Sequence, residues 1–195
     1  MDFDIERNTV FSLINQAKEA SAFLLDKTLR DPDIFVSACV FLLRILVEAA
    51  KASPDVFPKG PGNIRVCIAE ADEGYTSSLR LRHCAGYGED ADQRILLPIT
   101  RSLAGEVMRT GGFKLETQPG KYMNGPEDRI VKRLMRKDIK WIFCTPIFAP
   151  NGNFRFVACM DGNTEIEDSV RSREFFSEID AASQKMLSNL LVADR

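Results

Sequence analysis

The 195-residue sequence has one histidine, His83, and this scarcity limits the catalytic mechanisms available to the protein. A Ser-His-Asp or Cys-His arrangement would have to use that single imidazole. The sequence also lacks a G-x-S-x-G nucleophile motif and a glycine-rich phosphate-binding loop. His83 alternates in phase with Leu79 and Leu81 in a strand pattern, so we interpret it as a packed residue. We therefore predict no catalytic residue.

Closely spaced cysteines are also absent, so the sequence does not indicate a metal site. The five cysteines are odd in number and include no C-x-x-C pair, which favours neither zinc binding nor a disulfide framework. Reduced thiols in a cytoplasmic protein are the simplest interpretation. We predict no metal ion and no cofactor, apart from an unidentified small-molecule ligand. The five residues are Cys39, Cys67, Cys84, Cys144 and Cys159.

Long hydrophobic runs and a strong excess of one charge are absent too. The net charge of -2 argues against general binding to nucleic acid. The most apolar stretch, 34–50, is interrupted by Arg44 and Glu48, whereas a membrane span needs about 20 mostly apolar residues. The acidic start of the chain, 1–4, has no signal-peptide pattern. We therefore predict no membrane span and interpret 34–50 as a buried helix.

Three segments have the apolar periodicity of helices, and they flank a series of strand patterns. The helical segments are 4–29, about 32–51 and about 169–192. Apolar residues alternate, as in half-buried strands, at 64–68, 79–83 and 95–99. Two further strands are predicted on either side of Asn151-Gly152, a dipeptide typical of tight hairpins.

The hairpin sequence predicts how its two strands pair. A two-residue turn at 151–152 would place Pro150 opposite Asn153. The same register places Cys144 opposite Cys159, with both side chains on one face of the sheet. Both faces are largely apolar, so we expect central strands that are covered on both sides. We expect two buried free thiols in contact, with a structural role and low reactivity.

The segment 100–112 is predicted to form a short helix between strands. Leu103 and Val107 are four residues apart and so share one helix face. The glycine pair at 111–112 supplies a helix stop. The small residues at 104–105 would let the helix lie close to the element on which it packs.

This order of strand, helix, strand, loop, helix and hairpin resembles the GAF domain family. The residues that carry the resemblance are those at 102–107, at 141–148 with the Cys-Thr-Pro-Ile sequence at 144–147, and at 154–162. Ser102 stands where the family usually has glycine. The resemblance implies an α+β fold with a central antiparallel sheet, N- and C-terminal helices on one face, and a pocket layer of short helices and loops on the other. The implied parts are an N-terminal helical segment at 1–52, a sheet domain at 63–165 and a C-terminal helix at 166–195.

The resemblance also implies a non-enzymatic sensory or regulatory domain that binds a small molecule. Such a domain would signal through its flanking helices as a homodimer and act on a separate effector protein. Two other functions stay open: an interaction or dimerisation module without a ligand, and a redox enzyme like the methionine-sulfoxide reductases of this fold. The enzyme would need an exposed, activated thiolate, and the predicted loop at 117–125 contains no cysteine.

Five residues are candidates for contacts with a ligand. Arg129 and Arg133 lie four apart in a basic helical segment and could clamp an anion, with a solvated helix face as the alternative. Trp141, Phe143 and Tyr122 could line an apolar pocket, with core packing as the alternative.

Overall fold

The computed structural model describes residues 34–72, 75–87, 96–119 and 138–191. The predicted helix at 4–29 lies outside the described residues. No helix in the described ranges is long and apolar enough to cross a membrane. In chain order, the helices and strands of these ranges are α1 (Ile34–Lys51), β1 (Ile64–Asp72), β2 (Tyr75–Ala85), β3 (Leu96–Pro98), α2 (Leu103–Thr110), β4 (Lys114–Glu116), β5 (Trp141–Phe148), β6 (Phe154–Gly162) and α3 (Val170–Leu190).

The six strands form one antiparallel sheet in the order β3-β2-β1-β6-β5-β4. On one side, the helical face, residues of α1 and α3 such as Leu42 and Phe176 pack against the strands. On the other side, the α2 face, Val107 of α2 packs with Leu79 and Val157 of the strands. The predicted α+β fold, with long helices on one face and the short helix on the other, is confirmed.

Aromatic side chains fill much of the core on the helical face. Trp141, Phe143 and Phe176 have no exposed surface. The ring centroid of Phe176 lies 4.9 Å from that of Phe143 and 5.4 Å from that of Trp141. Phe57, in the connection after α1, meets Trp141 edge-on at 6.1 Å. Burial of such large apolar rings is a major source of stability, and here it holds α3 on β5.

The short helix α2 is capped at both ends by residues that suit those positions. The Ser102 hydroxyl accepts a hydrogen bond from the Gly105 N–H at 3.0 Å, which satisfies a free donor at the helix start. Gly111 has a left-handed φ of 69°, and its N–H donates to the Val107 carbonyl at 2.9 Å. The predicted helix is confirmed, and Ser102 acts as its N-cap.

The hairpin between β5 and β6 has the predicted register but a different turn. Cys144 opposes Cys159, as predicted. In the turn, the Gly152 N–H donates to the Ala149 carbonyl and the Ala149 N–H donates to the Asn153 carbonyl, both at 2.8 Å. Gly152 has a left-handed φ of 81°. This is typical of three-residue loops, in which a type I turn is followed by a residue in the left-handed conformation. The predicted two-residue turn is wrong, and a register shift next to the turn restores the pairing beyond it.

A bulge in β2 moves His83 out of its predicted phase. The pairing of β1 with β2 shifts between Val66 and Ile68. His83 adopts a left-handed φ of 52°, which costs a non-glycine residue about 1–2 kcal/mol. Its ring packs against Phe35 of α1, with 5.4 Å between the ring centroids, while Leu79 lies on the α2 face. The packed role predicted for His83 agrees with this contact, but the predicted common face with Leu79 is wrong.

A polar contact joins α3 to β5 within the helical layer. Thr145 has no exposed surface, and its hydroxyl donates a hydrogen bond to the Asp180 carboxylate. One turn further on, the Gln184 amide donates to the Pro146 carbonyl. Burial raises the pKa of Asp180, and hydrogen bonds from Thr145 and Gln184 oppose that shift. The fold therefore disfavours the charged form of this carboxyl group.

The substitution Asp180→Asn is expected to make the protein more stable near neutral pH. A carboxyl with a raised native pKa holds its proton more tightly in the folded state. The wild type therefore loses stability as the pH rises from the unfolded value, about 4, through the native pKa. Asparagine still accepts the Thr145 hydrogen bond and carries no charge. Urea denaturation of both proteins across this pH range measures the effect, and an identical pH dependence in both would contradict it.

Candidate functional site

The α2 face carries a buried group of polar side chains where β1 and β6 meet. Arg65 and Asp161 oppose each other in the strand register and are only 2% and 9% exposed. Strand alternation places Arg65 on the same face as Cys67. The Arg65 Nε lies 2.7 Å from Asp161 Oδ1, and its Nη2 lies 3.1 Å from Oδ2. Two parallel hydrogen bonds of this kind fix the orientation of the guanidinium plane.

Tyr87, just after β2, completes this group, which we call the polar cluster (Arg65, Tyr87 and Asp161). The Tyr87 hydroxyl lies 3.3 Å from Asp161 Oδ2 and 3.2 Å from the Cys67 Sγ, and its one proton can be donated to either acceptor. The Arg65 Cζ lies 4.3 Å from the centre of the Tyr87 ring, as in a cation–π contact. Burial is the main cause that raises the pKa of Tyr87, so the phenol keeps its proton.

Four thiols lie beside the polar cluster on the same face. Cys67 opposes Cys159 across β1 and β6, and Cys159 opposes Cys144 across β6 and β5. The Cys144 and Cys159 Sγ atoms are 3.6 Å apart, which confirms the predicted contact between buried free thiols. The bulge at His83 turns Cys84 toward Cys67, to which the Cys84 thiol donates a hydrogen bond. We call Cys84, Cys67, Cys159 and Cys144 the thiol row.

The surroundings of Cys67, Cys84 and Cys159 favour protonated sulfur. The pKa of Cys67 is raised chiefly by its hydrogen bond with Cys159, and that of Cys84 by its hydrogen bond with Cys67. The contact with Cys144 raises the pKa of Cys159 in the same way, and burial adds to all three shifts. Among the described residues, no three His, Cys, Asp or Glu side chains are grouped as a metal site requires. Cys67, Cys84 and Cys159 are therefore neutral thiols beside the buried Arg65–Asp161 pair.

The predicted ligand-contact residues fall in different places. Trp141 and Phe143 belong to the aromatic core on the helical face, where neither has exposed surface. Their contacts are those of the core-packing alternative, and they lie on the side of the sheet opposite α2. Tyr122, Arg129 and Arg133 lie outside the described residues.

The sequence reasoning missed the polar cluster. Its signal is weak but present, because Arg65 and Asp161 each interrupt an apolar strand. A lone charge in a strand usually marks an exposed edge or end. The two residues are 96 positions apart, so the pairing of β1 with β6 is what brings them together. The sequence pattern did not predict that β1 pairs with β6.

Comparison with known proteins identifies the fold. No protein-family model and no curated protein matches the sequence. Solved structures do match. The GAF domain of A. aeolicus nlh2, in an inactive state, has a TM-score of 0.56 and 15% identity, and the match covers 97% of this chain and 99% of that one.

Two further structures show the range of proteins that share this architecture. The GAF domain of a phosphoenolpyruvate-protein phosphotransferase (ptsP) from Coxiella burnetii has a TM-score of 0.59 and 11% identity, covering 96% of this chain and 98% of that one. The free methionine-R-sulfoxide reductase from Neisseria meningitidis, in complex with its substrate, has a TM-score of 0.58 and 15% identity, covering 94% and 91%. Identities this low concern the fold and leave the function open. The chain thus has the GAF fold.

Proposed function

We propose that the protein is a non-enzymatic sensory or regulatory domain that binds a small molecule on the α2 face. The observation that carries this proposal is the polar cluster. Burying an Arg–Asp pair costs desolvation energy that a purely apolar core would avoid. Small-molecule sites combine mostly apolar walls with a few fixed polar groups. Arg65, Asp161 and Tyr87 beside the apolar residues of α2 are such a combination.

The ligand in this proposal carries a negative charge. Arg129 and Arg133, with Tyr122, would contact it from the segment that precedes β5. A guanidinium plane matches a carboxylate or phosphate with two hydrogen bonds. The buried Arg65 is already paired with Asp161, so the added charge of the ligand would need these further arginines.

Signalling would follow from the position of the sheet between its two layers. The central strands β1, β5 and β6 have side chains on both faces of the sheet. Those on one face belong to the α2 face, and those on the other pack against α1 and α3. A ligand that binds one packing of these layers more tightly shifts the population toward it. We further propose a homodimer through the terminal helices and a separate effector protein. Val170 at the start of α3 is 73% exposed, so the C-terminal helix offers apolar surface to a partner, while the N-terminal helix predicted at 4–29 lies outside the described residues.

An enzyme of the methionine-sulfoxide reductase type is the less favoured function. That chemistry needs an accessible thiolate. Cys67, Cys144 and Cys159 are buried, and only Cys84 of the thiol row is partly exposed.

A thermal-shift screen tests ligand binding. Inorganic phosphate, nucleotides and carboxylated amino-acid derivatives are suitable first probes, because each carries an anionic group. A ligand that binds only the folded state adds about 2.7 kcal/mol of stability at one hundred times its Kd. At least one anionic compound is expected to raise Tm in proportion to the logarithm of its concentration. An interaction module without a pocket would show no such dependence with any of them.

Arg133→Ala is expected to weaken binding of the stabilising compound about tenfold or more while leaving the Tm of the free protein nearly unchanged. The loss corresponds to one hydrogen bond to a charged group. Titration calorimetry on both proteins measures it. Lys140→Ala is the matched control, since Lys140 is exposed and pairs with Glu165 at 3.7 Å at the surface. A large fall in the Tm of the free Arg133→Ala variant would instead give Arg133 a structural role.

A further inference from the structure

Asp180 is the one ionisable side chain of α3 that is not exposed. Most charged residues of proteins stay at the surface, because a buried charge without a partner loses the solvation that water provides. The other ionisable residues of α3 follow this rule: Arg171, Arg173, Glu174, Glu178 and Lys185. The inward position of Asp180 therefore calls for an explanation other than solubility.

The hydrogen-bond partners of Asp180 are neutral groups at the joint between α3 and β5. Its carboxylate accepts the hydrogen bond of the Thr145 hydroxyl, and Thr145 has no exposed surface. The Gln184 amide lies 3.5 Å from the same hydroxyl and also donates to the Pro146 carbonyl. A hydroxyl has a single proton to donate. An ionised Asp180 therefore keeps its charge at this joint with hydrogen bonds alone.

In the described part of the chain, no cation compensates an ionised Asp180. The elements that pack most closely on α3 are β5 and α1. β5 presents neutral side chains to the helix, and its one thiol, Cys144, lies on the α2 face. Burial raises the pKa of Asp180, and no charged group contributes to the shift. The charges of α1 and of the connection after it are exposed, namely Arg44, Glu48, Lys51 and Asp55.

Asp180 lies in the line of contacts that holds α3 on the sheet. Phe176 packs on Phe143, and Asp180, four residues later in the helix, meets Thr145, two residues later in the strand. Four helical residues rise about 6 Å and two strand residues about 6.6 Å, so the two contacts follow one another along the joint. A change of charge at Asp180 therefore acts directly on the docking of α3.

We propose that α3 is a proton-controlled element: protonated Asp180 keeps α3 docked on β5, and ionisation of Asp180 loosens the helix from the sheet. This inference goes beyond the proposed function and does not depend on the small-molecule ligand. The proton would be a second input that acts on the helical face, whereas the ligand acts on the α2 face. Both inputs would meet in the packing of α3.

Linkage gives the direction of the pH effect. When α3 is released from β5, Asp180 lies in water and its pKa is the ordinary value, about 3.9. When α3 is docked, burial raises that pKa. The contribution of protonated Asp180 to docking is therefore complete below the ordinary pKa and is lost as the pH rises through the docked pKa. Each unit between the two pKa values changes the population of released helix about tenfold.

Amide hydrogen exchange of the full-length protein tests the proposal when wild type and Asp180→Asn are compared at each pH, so that the intrinsic pH dependence of exchange cancels. At acidic pH the two proteins should protect α3 equally. At neutral pH, α3 of the wild type should exchange at least about threefold faster than in Asp180→Asn, as half a pKa unit would produce. It should also exchange faster than β1 and β6, because the helix opens without the sheet. Glu178→Gln, which neutralises an exposed acid of the same helix, should behave like the wild type.

Carbon-13 NMR of the Asp180 carboxyl group in the wild-type protein needs no substitution and keeps the test decisive should Asp180→Asn fail to fold. The carboxyl is expected to titrate with a midpoint above the ordinary value, about 3.9. A midpoint at or below that value overturns the proposal. So does a ratio of α3 exchange between the two proteins that stays the same at all pH values, or α3 protection in the wild type equal to that of β1 and β6 at neutral pH.

Discussion

Replacing Gly105 by alanine is expected to lower the free energy of unfolding by about 3 kcal/mol, at the upper end of the usual cost of overpacking. A Cβ at this position would lie 2.1 Å from the Ile99 carbonyl oxygen and 2.5 Å from the Ile99 carbonyl carbon. These are backbone atoms, which cannot rotate away as a side chain can. α2 would therefore have to move off the chain segment that follows β3. Urea denaturation measures the loss.

Gly112→Ala is the matched control for Gly105→Ala. It lies just beyond the same helix, and a Cβ there would meet no atom within 4 Å. Its stability is expected to stay within about 0.5 kcal/mol of the wild type. Equal stabilities for the two variants would show that α2 does not lie as close to Ile99 as the structure places it. Close packing of α2 would then no longer explain the small residues at 104–105.

Asp161→Ala is expected to lower the free energy of unfolding by about 3–5 kcal/mol, the usual cost of removing one partner from a buried ion pair. The substitution takes the bidentate carboxylate away from Arg65, which is 2% exposed, and removes a hydrogen-bond acceptor of Tyr87. The guanidinium stays in a low-dielectric region where its charge is costly. Chemical denaturation at neutral pH measures the loss.

Two controls distinguish the buried charge from the loss of side-chain volume. The double variant Arg65→Met with Asp161→Leu removes both charges and is expected to recover most of the stability, since apolar replacements of a buried pair are often neutral. Glu165→Gln breaks an ion pair with Lys59 in which both side chains are more than half exposed, and should have little effect. A double variant as unstable as Asp161→Ala would show that the pair itself stabilises the fold.

The hairpin shows how far local sequence chemistry determines the fold. The predicted register of β5 and β6 assumed a two-residue turn, and the register shift between Ile147 and Phe148 offsets the longer loop that the structure has. Cys144 therefore meets Cys159 as predicted. The turn was harder to predict, since Asn151-Gly152 suits both a two-residue turn and the second half of a three-residue loop. In the structure Ala149 pairs with Asn153, so the loop has three residues, 150–152.

His83 and Arg65 show what the sequence pattern did not reveal. Alternation assumes an unbroken strand, and the bulge in β2 moves His83 to the other face and brings Cys84 toward Cys67. Arg65 finds its partner through strands far apart in the chain, which no local pattern encodes. The bulge interrupts the pairing of two consecutive strands, whereas the Arg65 pair depends on strands far apart in the chain, and both features contribute to the α2 face. The candidate site was therefore less predictable than the fold.

Trp141 and Phe143 show a second limit of the sequence pattern. Both were predicted to line a pocket because ligand sites are mostly apolar, with core packing as the alternative. In the sheet, however, Phe143 and Cys144 point to opposite faces, because neighbouring strand residues alternate. Phe143 faces Phe176 of α3, and Cys144 faces α2. Apolar character alone did not show which layer each side chain joins.

The central claim is that a small molecule binds on the α2 face, and amide hydrogen exchange tests it most directly. Exchange of the full-length protein is compared with and without the compound that raises Tm. We expect added protection near Arg65 in β1, near Asp161 in β6, around Tyr87 and in the segment 120–137. Protection confined to α1 and α3, with none on these segments, would place the ligand on the other face and contradict the account.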